Sequence, residues 1–183
     1  MESTRTAAPA TTYTIDPSHT TVEFVARHMM FTKVRGRFAK FAGTLQIPEG
    51  SNTPSAIDVT IEAASLDTRE EQRDTHLRSA DFFDVEKFPQ LAFKSTKIAG
   101  DESSFKVTGD LTIRGITKEV TLDAQFEGRG TDPWGGTRVG YSAQTTINRK
   151  DWGLNWNAAL EAGGVLVGDS IGIELNVQAV AQA

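Results

Sequence analysis

The chain has 183 residues, enough for one domain with a sizeable core but tight for two. Its 24 acidic and 19 basic side chains leave a net charge of −5, so there is no basic surplus to displace counterions from nucleic acid. The absence of cysteine excludes a disulfide framework, a thiol nucleophile and a thiolate metal site, and no run of about 18 apolar residues is available for a membrane-spanning helix.

Residues 1–11 read as a disordered tail, with the folded domain expected over 12–183. Met1 to Pro9 lacks the apolar core of a secretory signal, so a cytoplasmic location is expected, with a mature exported form as the alternative. Thr12 to Ile15 reads as a short strand ended by Asp16-Pro17. From Thr20 to His28 the chain alternates, with Val22, Phe24, Ala26 and His28 on one face and Glu23 and Arg27 on the other. Arg35 to Ile47 is a long strand in which Phe38 and Phe41 have opposite parity, so burying both requires a bulge or bend near Ala39-Lys40. Ile57, Val59 and Ile61 alternate with Asp58, Thr60 and Glu62.

After residue 89 the pattern is a meander. Leu91, Phe93 and Ser95 lead to the Gly100-Asp101 turn. Phe105, Val107, Leu111 and Ile113 form one face, then Val120, Leu122, Ala124 and Phe126, then Val139, Tyr141, Ala143 and Ile147. Asn155 to Ala162 reads as a short helical turn ended by Gly163-Gly164, and Ile171, Ile173, Leu175 and Val177 complete the series.

Only 38% of the residues are hydrophobic, as expected where each strand turns one face to water. No helix has an apolar stripe able to cover the other faces, so the sheet must close on itself. The fold class is therefore all-β, a single antiparallel barrel of roughly eight strands with one or two short helices at its mouth. A membrane barrel is disfavoured by the charged polar faces.

Between the two halves lies Thr68 to Pro89, TREEQRDTHLRSADFFDVEKFP. Six charged side chains fall within residues 69–78, followed by Phe82, Phe83 and Phe88. Thr68 and Glu71 have capping-box spacing, and Asp74 and Arg78 are spaced as an i,i+4 pair. The segment reads as a polar helix lying on the barrel and stopped by Pro89, or more plainly as a solvated surface helix.

The block Arg73-Asp74-x-His76-Leu77-x-Ser79-x-Asp81-Phe82-Phe83-Asp84 resembles the signature of the YceI-like family. So do Ile15-Asp16-x-x-His19-Thr20-x-Val22-x-Phe24, Val34-x-Gly36-x-Phe38-x-x-Phe41-x-Gly43, Gly109-Asp110-Leu111-Thr112-Ile113-x-Gly115 and Asn148-Arg149-x-x-x-Gly153. The resemblance runs from about Tyr13 to Val180 and departs at Thr20, where the family often has serine and this chain keeps the hydroxyl. It implies a lipocalin-like barrel that holds a polyisoprenoid or similar lipid, without covalent chemistry.

Alternation alone leaves a dry packed core and a ligand tunnel equally open; the resemblance favours the tunnel. Its expected lining is Val22, Phe24, Phe93, Val107, Leu111, Leu122, Phe126, Tyr141, Ile147 and Leu175. Such a tunnel favours a long hydrocarbon by roughly 0.8 kcal/mol per buried CH₂. Arg73, His76 and Arg78 are the candidates for a polar head such as a phosphate or quinone oxygen, arginine being suited to phosphate by its forked donors. The alternative for Arg73 and Asp74 is an ion pair that ties the helix down.

His19, His28 and His76 have no recognised metal-ligand spacing, and no cofactor or metal is expected. No nucleophile elbow, phosphate loop or dinucleotide fingerprint occurs. Two other classes stay open: an enzyme using these histidines on an apolar substrate, and a stress-related interaction scaffold. The sequence also leaves the oligomeric state open, a homodimer included. All three tryptophans, Trp134, Trp152 and Trp156, flank the strand Thr137 to Asn148, which places Trp134 at one rim and the other two at the opposite rim.

Overall fold

The computed structural model describes residues 9–160 and 164–182. Eleven strand segments form one sheet whose order runs β1-β4-β5-β7-β8-β9-β10-β11-β2-β3-β6, with β1 also paired to β11. Three pairs of segments are single bent strands. β1 (Ala10–Ile15) and β2 (Thr21–His28) meet at a 3-10 turn, Pro17–His19. β3 (Thr32–Phe38) and β4 (Phe41–Pro48) meet at Ala39-Lys40, and β5 (Ala56–Glu62) and β6 (Leu66–Asp67) at a second 3-10 turn. With β7 (Gln90–Gly100), β8 (Ser104–Ile113), β9 (Ile116–Thr131), β10 (Thr137–Asn148) and β11 (Ser170–Ala181), they make eight antiparallel staves closed up and down. Closure leaves no long free sheet edge.

The bend at Ala39-Lys40 resolves the parity conflict read from the sequence: Phe38 is buried and Phe41 half-buried. β8 keeps strict alternation, with Phe105, Val107, Leu111 and Ile113 inside. Two strands change parity at bulges. One lies between Ser95 and Lys97, which brings Ile98 onto the core. The other skips Glu127, so that Phe126 stands opposite Tyr141 while Arg129 stands opposite the buried Val139. Simple alternation carries neither shift.

The chain is ordered two residues before the expected boundary, since Ala10 and Thr11 pair with Pro48 and Ile47. The rest of the expected tail, residues 1–8, lies outside the described residues. The expected turn over Asn155 to Ala162 is not helical through Leu160, and 161–163 lie outside the described residues. That segment is instead extended, bridged Ala159 to Val165 and pinned by Arg149.

α1 (Glu71–Arg78) is the one α-helix among the described residues. It begins later than the capping-box reading implied. Arg69 sits at a left-handed φ of 65°, which turns the chain before the helix starts. The Glu70 carboxylate then accepts the Gln72 and Arg73 amides at 3.2 and 2.6 Å, and Glu70 is the N-cap instead of Thr68. The helix stops well before Pro89, where the Ser79 hydroxyl donates to the His76 carbonyl at 2.6 Å.

Candidate functional site

The barrel encloses a cavity of about 260 Å³ whose exposed wall is wholly apolar. Every residue of the expected lining except Phe126 borders it. Phe126 packs instead against Tyr141, ring centroids 5.7 Å apart, just where the β9 bulge shifts the strand. The wall also includes residues the sequence reading left out: Phe41, Leu45 and Ile57 along the staves, and Leu77, Phe82, Phe83, Leu154 and Val167 across one end.

Two glycines make room for aromatic walls. Phe24 faces Gly36 across the β2–β3 pair. A methyl group on Gly109 would lie 2.5 Å from the Phe93 ring and 2.6 Å from the Lys94 carbonyl. The rings of Phe24 and Phe93 therefore occupy the space a side chain would need at Gly36 and Gly109, which is the use glycine has in these strands.

At the far end, reached by the loops 49–55, 101–103 and 132–136, the barrel is closed by polar side chains. Arg129, turned inward by the bulge, donates to the Tyr13 hydroxyl at 2.7 Å and to the Ser51 carbonyl at 3.1 Å. The Tyr141 hydroxyl donates to the Asn52 carbonyl, and burial pushes its pKa up. Arg138 bridges Asp16 and Asp132, both at 2.8 Å. The Ser18 hydroxyl, then Arg138, then His19 hold the Asp16 carboxyl well below the usual carboxylate range. The Thr20 hydroxyl links this corner to β11, donating to the Gln178 carbonyl at 3.2 Å and accepting its amide at 3.0 Å.

The helix end is built differently. Asp74 is buried and accepts the Thr68 amide at 2.9 Å and the Thr68 hydroxyl at 2.5 Å. Arg73 returns two donors to Thr68, Nε to the hydroxyl and Nη2 to the carbonyl, both at 2.7 Å. Arg78 reaches the Ala64 and Leu66 carbonyls at 3.0 and 2.9 Å. The expected Asp74–Arg78 pair therefore does not form, because Asp74 turns to Thr68, just past β6, and Arg78 to the β5–β6 bend. His76 lies 2.9 Å from the Asp81 carboxylate, and its ring meets Trp156 edge-on at 4.5 Å and Phe82 at 5.1 Å. Leu77, the next residue, borders the cavity.

Behind α1, Arg149 is only 3% exposed. Its guanidinium donates to the carbonyls of Leu154, Trp156, Val167 and Gly168, so one side chain ties both limbs of the 149–169 segment together. Burial pulls its pKa down, and Asp169 at 3.7 Å opposes that pull. The sequence marks Arg149 only as part of a family block; flanked by Asn148, Lys150 and Asp151, it carries no local signal that sets it apart as this hub. Trp152 is buried beneath it and donates to the Leu111 carbonyl at 2.9 Å.

The structure does not bring the three histidines together. His19 is at the far-end corner beside Asp16, His28 ends β2, and His76 is on α1. Among the described residues no group of three or more His, Asp or Glu is placed to hold a metal. What the geometry defines is a closed up-and-down barrel with an apolar chamber, plugged by polar contacts at one end and capped by a helix at the other. That class of binding barrel has a specific counterpart. The family model of the YceI-like domain matches residues 13–179, and the chain belongs to the YceI-like family. Protein YceI of Escherichia coli O157:H7 is 41% identical over 150 residues, covering 81% of this chain and 78% of that protein. The crystal structure of the Campylobacter jejuni YCEI protein superposes with a TM-score of 0.76 at 29% identity, covering 86% of this chain and 90% of that one. A polyisoprenoid binding domain from Saccharophagus degradans shares the fold, with a TM-score of 0.68 at 14% identity over 93% and 98% of the two chains.

Proposed function

We propose that the barrel binds an amphiphilic isoprenoid or comparable lipid, holds its tail in the chamber and carries or stores it without covalent chemistry. One observation carries this reading: a chamber of about 260 Å³ has no polar atom exposed on its wall. Such a wall offers nothing to a charged substrate and favours hydrocarbon by roughly 0.8 kcal/mol per CH₂. The fold shared with a polyisoprenoid binding domain supports the ligand class.

The chamber is slightly smaller than the roughly 300–1,000 Å³ of typical ligand pockets. A long tail therefore enters only if the side chains of the helix-end cap give way. The polar head then lies at that end, where α1 offers Arg73, His76 and Arg78. An isoprenoid quinone or phosphate has the acceptor oxygens for them.

The test is mass spectrometry of a solvent extract of the purified protein, followed by titration with a quinone-headed isoprenoid. The expected result is a copurified lipid and saturable quenching of tryptophan fluorescence. Trp156→Phe removes most of that quenching and Trp134→Phe little. No copurified lipid, together with no saturable uptake of isoprenoids, overturns the reading.

A further inference from the structure

We infer that the β2–β3 hairpin docks the barrel onto an anionic lipid bilayer, with Met29, Met30 and Phe31 entering the interface. Among the described residues the exposed large apolar side chains are these three, Ile116 and Trp134. Three of the five thus fall consecutively on one hairpin tip, where Phe31 is 79% and Met30 54% exposed. The turn itself is unusual. Met29 and Met30 both take left-handed φ values, 52° and 67°, in a place where asparagine and glycine are the favoured residues. Large apolar side chains there cost backbone energy and gain no burial within the barrel.

The surroundings point to a bilayer instead of a protein partner. No Asp or Glu occurs between Glu23 and Glu49, whereas Arg27, Lys33, Arg35, Arg37 and Lys40 all fall in that stretch of a chain with net charge −5. Arg35 and Arg37 face Glu174 and Asp67. Arg27 and Lys33, directly opposite each other at the base of the tip, pair with no carboxylate among the described residues. An apolar point with a basic collar matches anionic headgroups above acyl chains. A convex tip of three side chains is far smaller than the roughly 800 Å² per partner of a stable protein interface.

The turn is backed by the segment that Arg149 organises: the Met29 amide donates to the Leu166 carbonyl at 2.8 Å, and His28 bridges to Val167. Val167 and Ala26 both border the chamber. Met29 lies three residues beyond Ala26, about 10 Å along the strand. Docking by this tip sets the helix-end cap against the membrane, so a lipid passes between bilayer and chamber with little exposure to water. That purpose rests on the lipid-carrier reading; the docking itself does not.

The test is co-sedimentation of the full chain with phosphatidylglycerol-containing vesicles and with pure phosphatidylcholine vesicles. The expected result is partition onto the anionic vesicles that falls as salt is added. A double variant, Met30→Ser with Phe31→Ser, lowers that partition by about tenfold or more. Arg27→Glu with Lys33→Glu abolishes the preference for anionic vesicles. Phe31→Trp gives a blue-shifted emission on binding. Both double variants change exposed side chains, and circular dichroism checks that they fold. Unchanged partition of the Met30/Phe31 variant overturns the inference. So does wild-type protein that ignores the vesicles, or that uses the tip only to self-associate, as shown by a mass that drops in the variant. Isoprenoid uptake by the tip variants from detergent distinguishes this failure from failure of the lipid reading.

Discussion

At the far end of the barrel, Arg129, Tyr13 and Tyr141 lock the strands to the 49–55 loop, and Arg138 clamps two carboxylates. At the helix end, Leu77, Phe82, Phe83, Leu154 and Val167 cover the chamber from segments that are not staves of the barrel. The first closure is made of directional polar bonds that run from strand residues to loops and turns and, from Arg129 to Tyr13, between strands. The second is apolar contact from an inserted helix and a long loop, held to the barrel by a few arginine-to-carbonyl bonds. Apolar contact is non-directional and re-forms against a new partner, so a tail can replace the cap residues at small cost. On the proposed lipid-binding reading, the difference makes the helix end the door and the far end the floor.

The strongest way to break the contrast is through Arg149. Arg149→Ala removes the guanidinium from one buried and three part-buried carbonyls, of which, among the described residues, only that of Val167 keeps another side-chain donor, Asn157, and it separates the two limbs of the loop. The expected loss is about 3 kcal/mol or more of unfolding free energy. Urea unfolding measures it, and a loss under about 1 kcal/mol shows that water replaces the guanidinium easily. At the floor, Arg129→Ala costs less, about 1–2 kcal/mol, because Arg129 is itself exposed and its partners at Ser51 and Asn52 are only half-buried.

Arg78→Ala is next. Its bonds to the Ala64 and Leu66 carbonyls predict a loss of about 1–3 kcal/mol, with faster hydrogen exchange confined to α1. A head-group role adds a separate signature: affinity for a phosphorylated isoprenoid falls while that for the matching alcohol does not. Equal weakening of both ligands leaves Arg78 as a tether alone.

Ala143→Phe probes the chamber between the two ends. Ala143 borders it, flanked by Ala124 and Leu175 in the paired strands. In a packed core the added ring costs about 1–3 kcal/mol. With open space beside it the expected cost is below about 1 kcal/mol. Affinity for a long isoprenol drops about tenfold, as room for one to two methylenes' worth of burial is lost. Short isoprenols bind as before. A large stability loss with unchanged length preference means that the ring meets packed side chains and the tail lies elsewhere.

These ends were unequally visible in the sequence. The staves could be read because each buries one face, and the bend at Ala39-Lys40 could be read because Phe38 and Phe41 conflict. The floor could not: Arg129 reaches Tyr13 and the 49–55 loop only because Glu127 is skipped, and nothing in an alternating pattern marks which residue will bulge. The cap could be read only in part. Phe82-Phe83 stand out in the sequence after a polar run, but their aim, and that of Leu77, depends on Arg69 taking a left-handed φ and on Asp74 turning to Thr68 instead of Arg78. The segment after Trp152 was misread as helical because its short-range pattern suits a helix. Arg149, a few residues upstream, outweighs that preference by claiming the Leu154 and Trp156 carbonyls, and backbone bonds from Leu166 to Ala158 and from Leu160 to Gly164 hold the rest extended.

The smallest expected effect is acid loosening, and it distinguishes the two ends by chemistry instead of packing. Three carboxyls at the floor, those of Asp16, Asp101 and Asp132, are held below their ordinary range, against Asp67 at the helix end. For Asp16 the cause is the Ser18 hydroxyl and then Arg138; for Asp101 and Asp132 it is chiefly backbone amides, those of Ser104 and Gly136. A carboxyl whose pKa is lower folded than unfolded stabilises the fold at pH values above its unfolded pKa, about 3.9. That contribution is lost as pH falls from there towards the folded value. Stability should therefore be flat near neutrality and decline below about pH 4. The decline should appear first as exchange of the amides in 49–55 and 132–136, while α1 stays protected. Asp16→Asn should make the protein less stable at neutral pH and flatten the acid slope, since the group that titrates is gone. An unchanged slope in Asp16→Asn, or earlier exchange at α1 than at the floor, would show that the polar clamp does not set the acid limit.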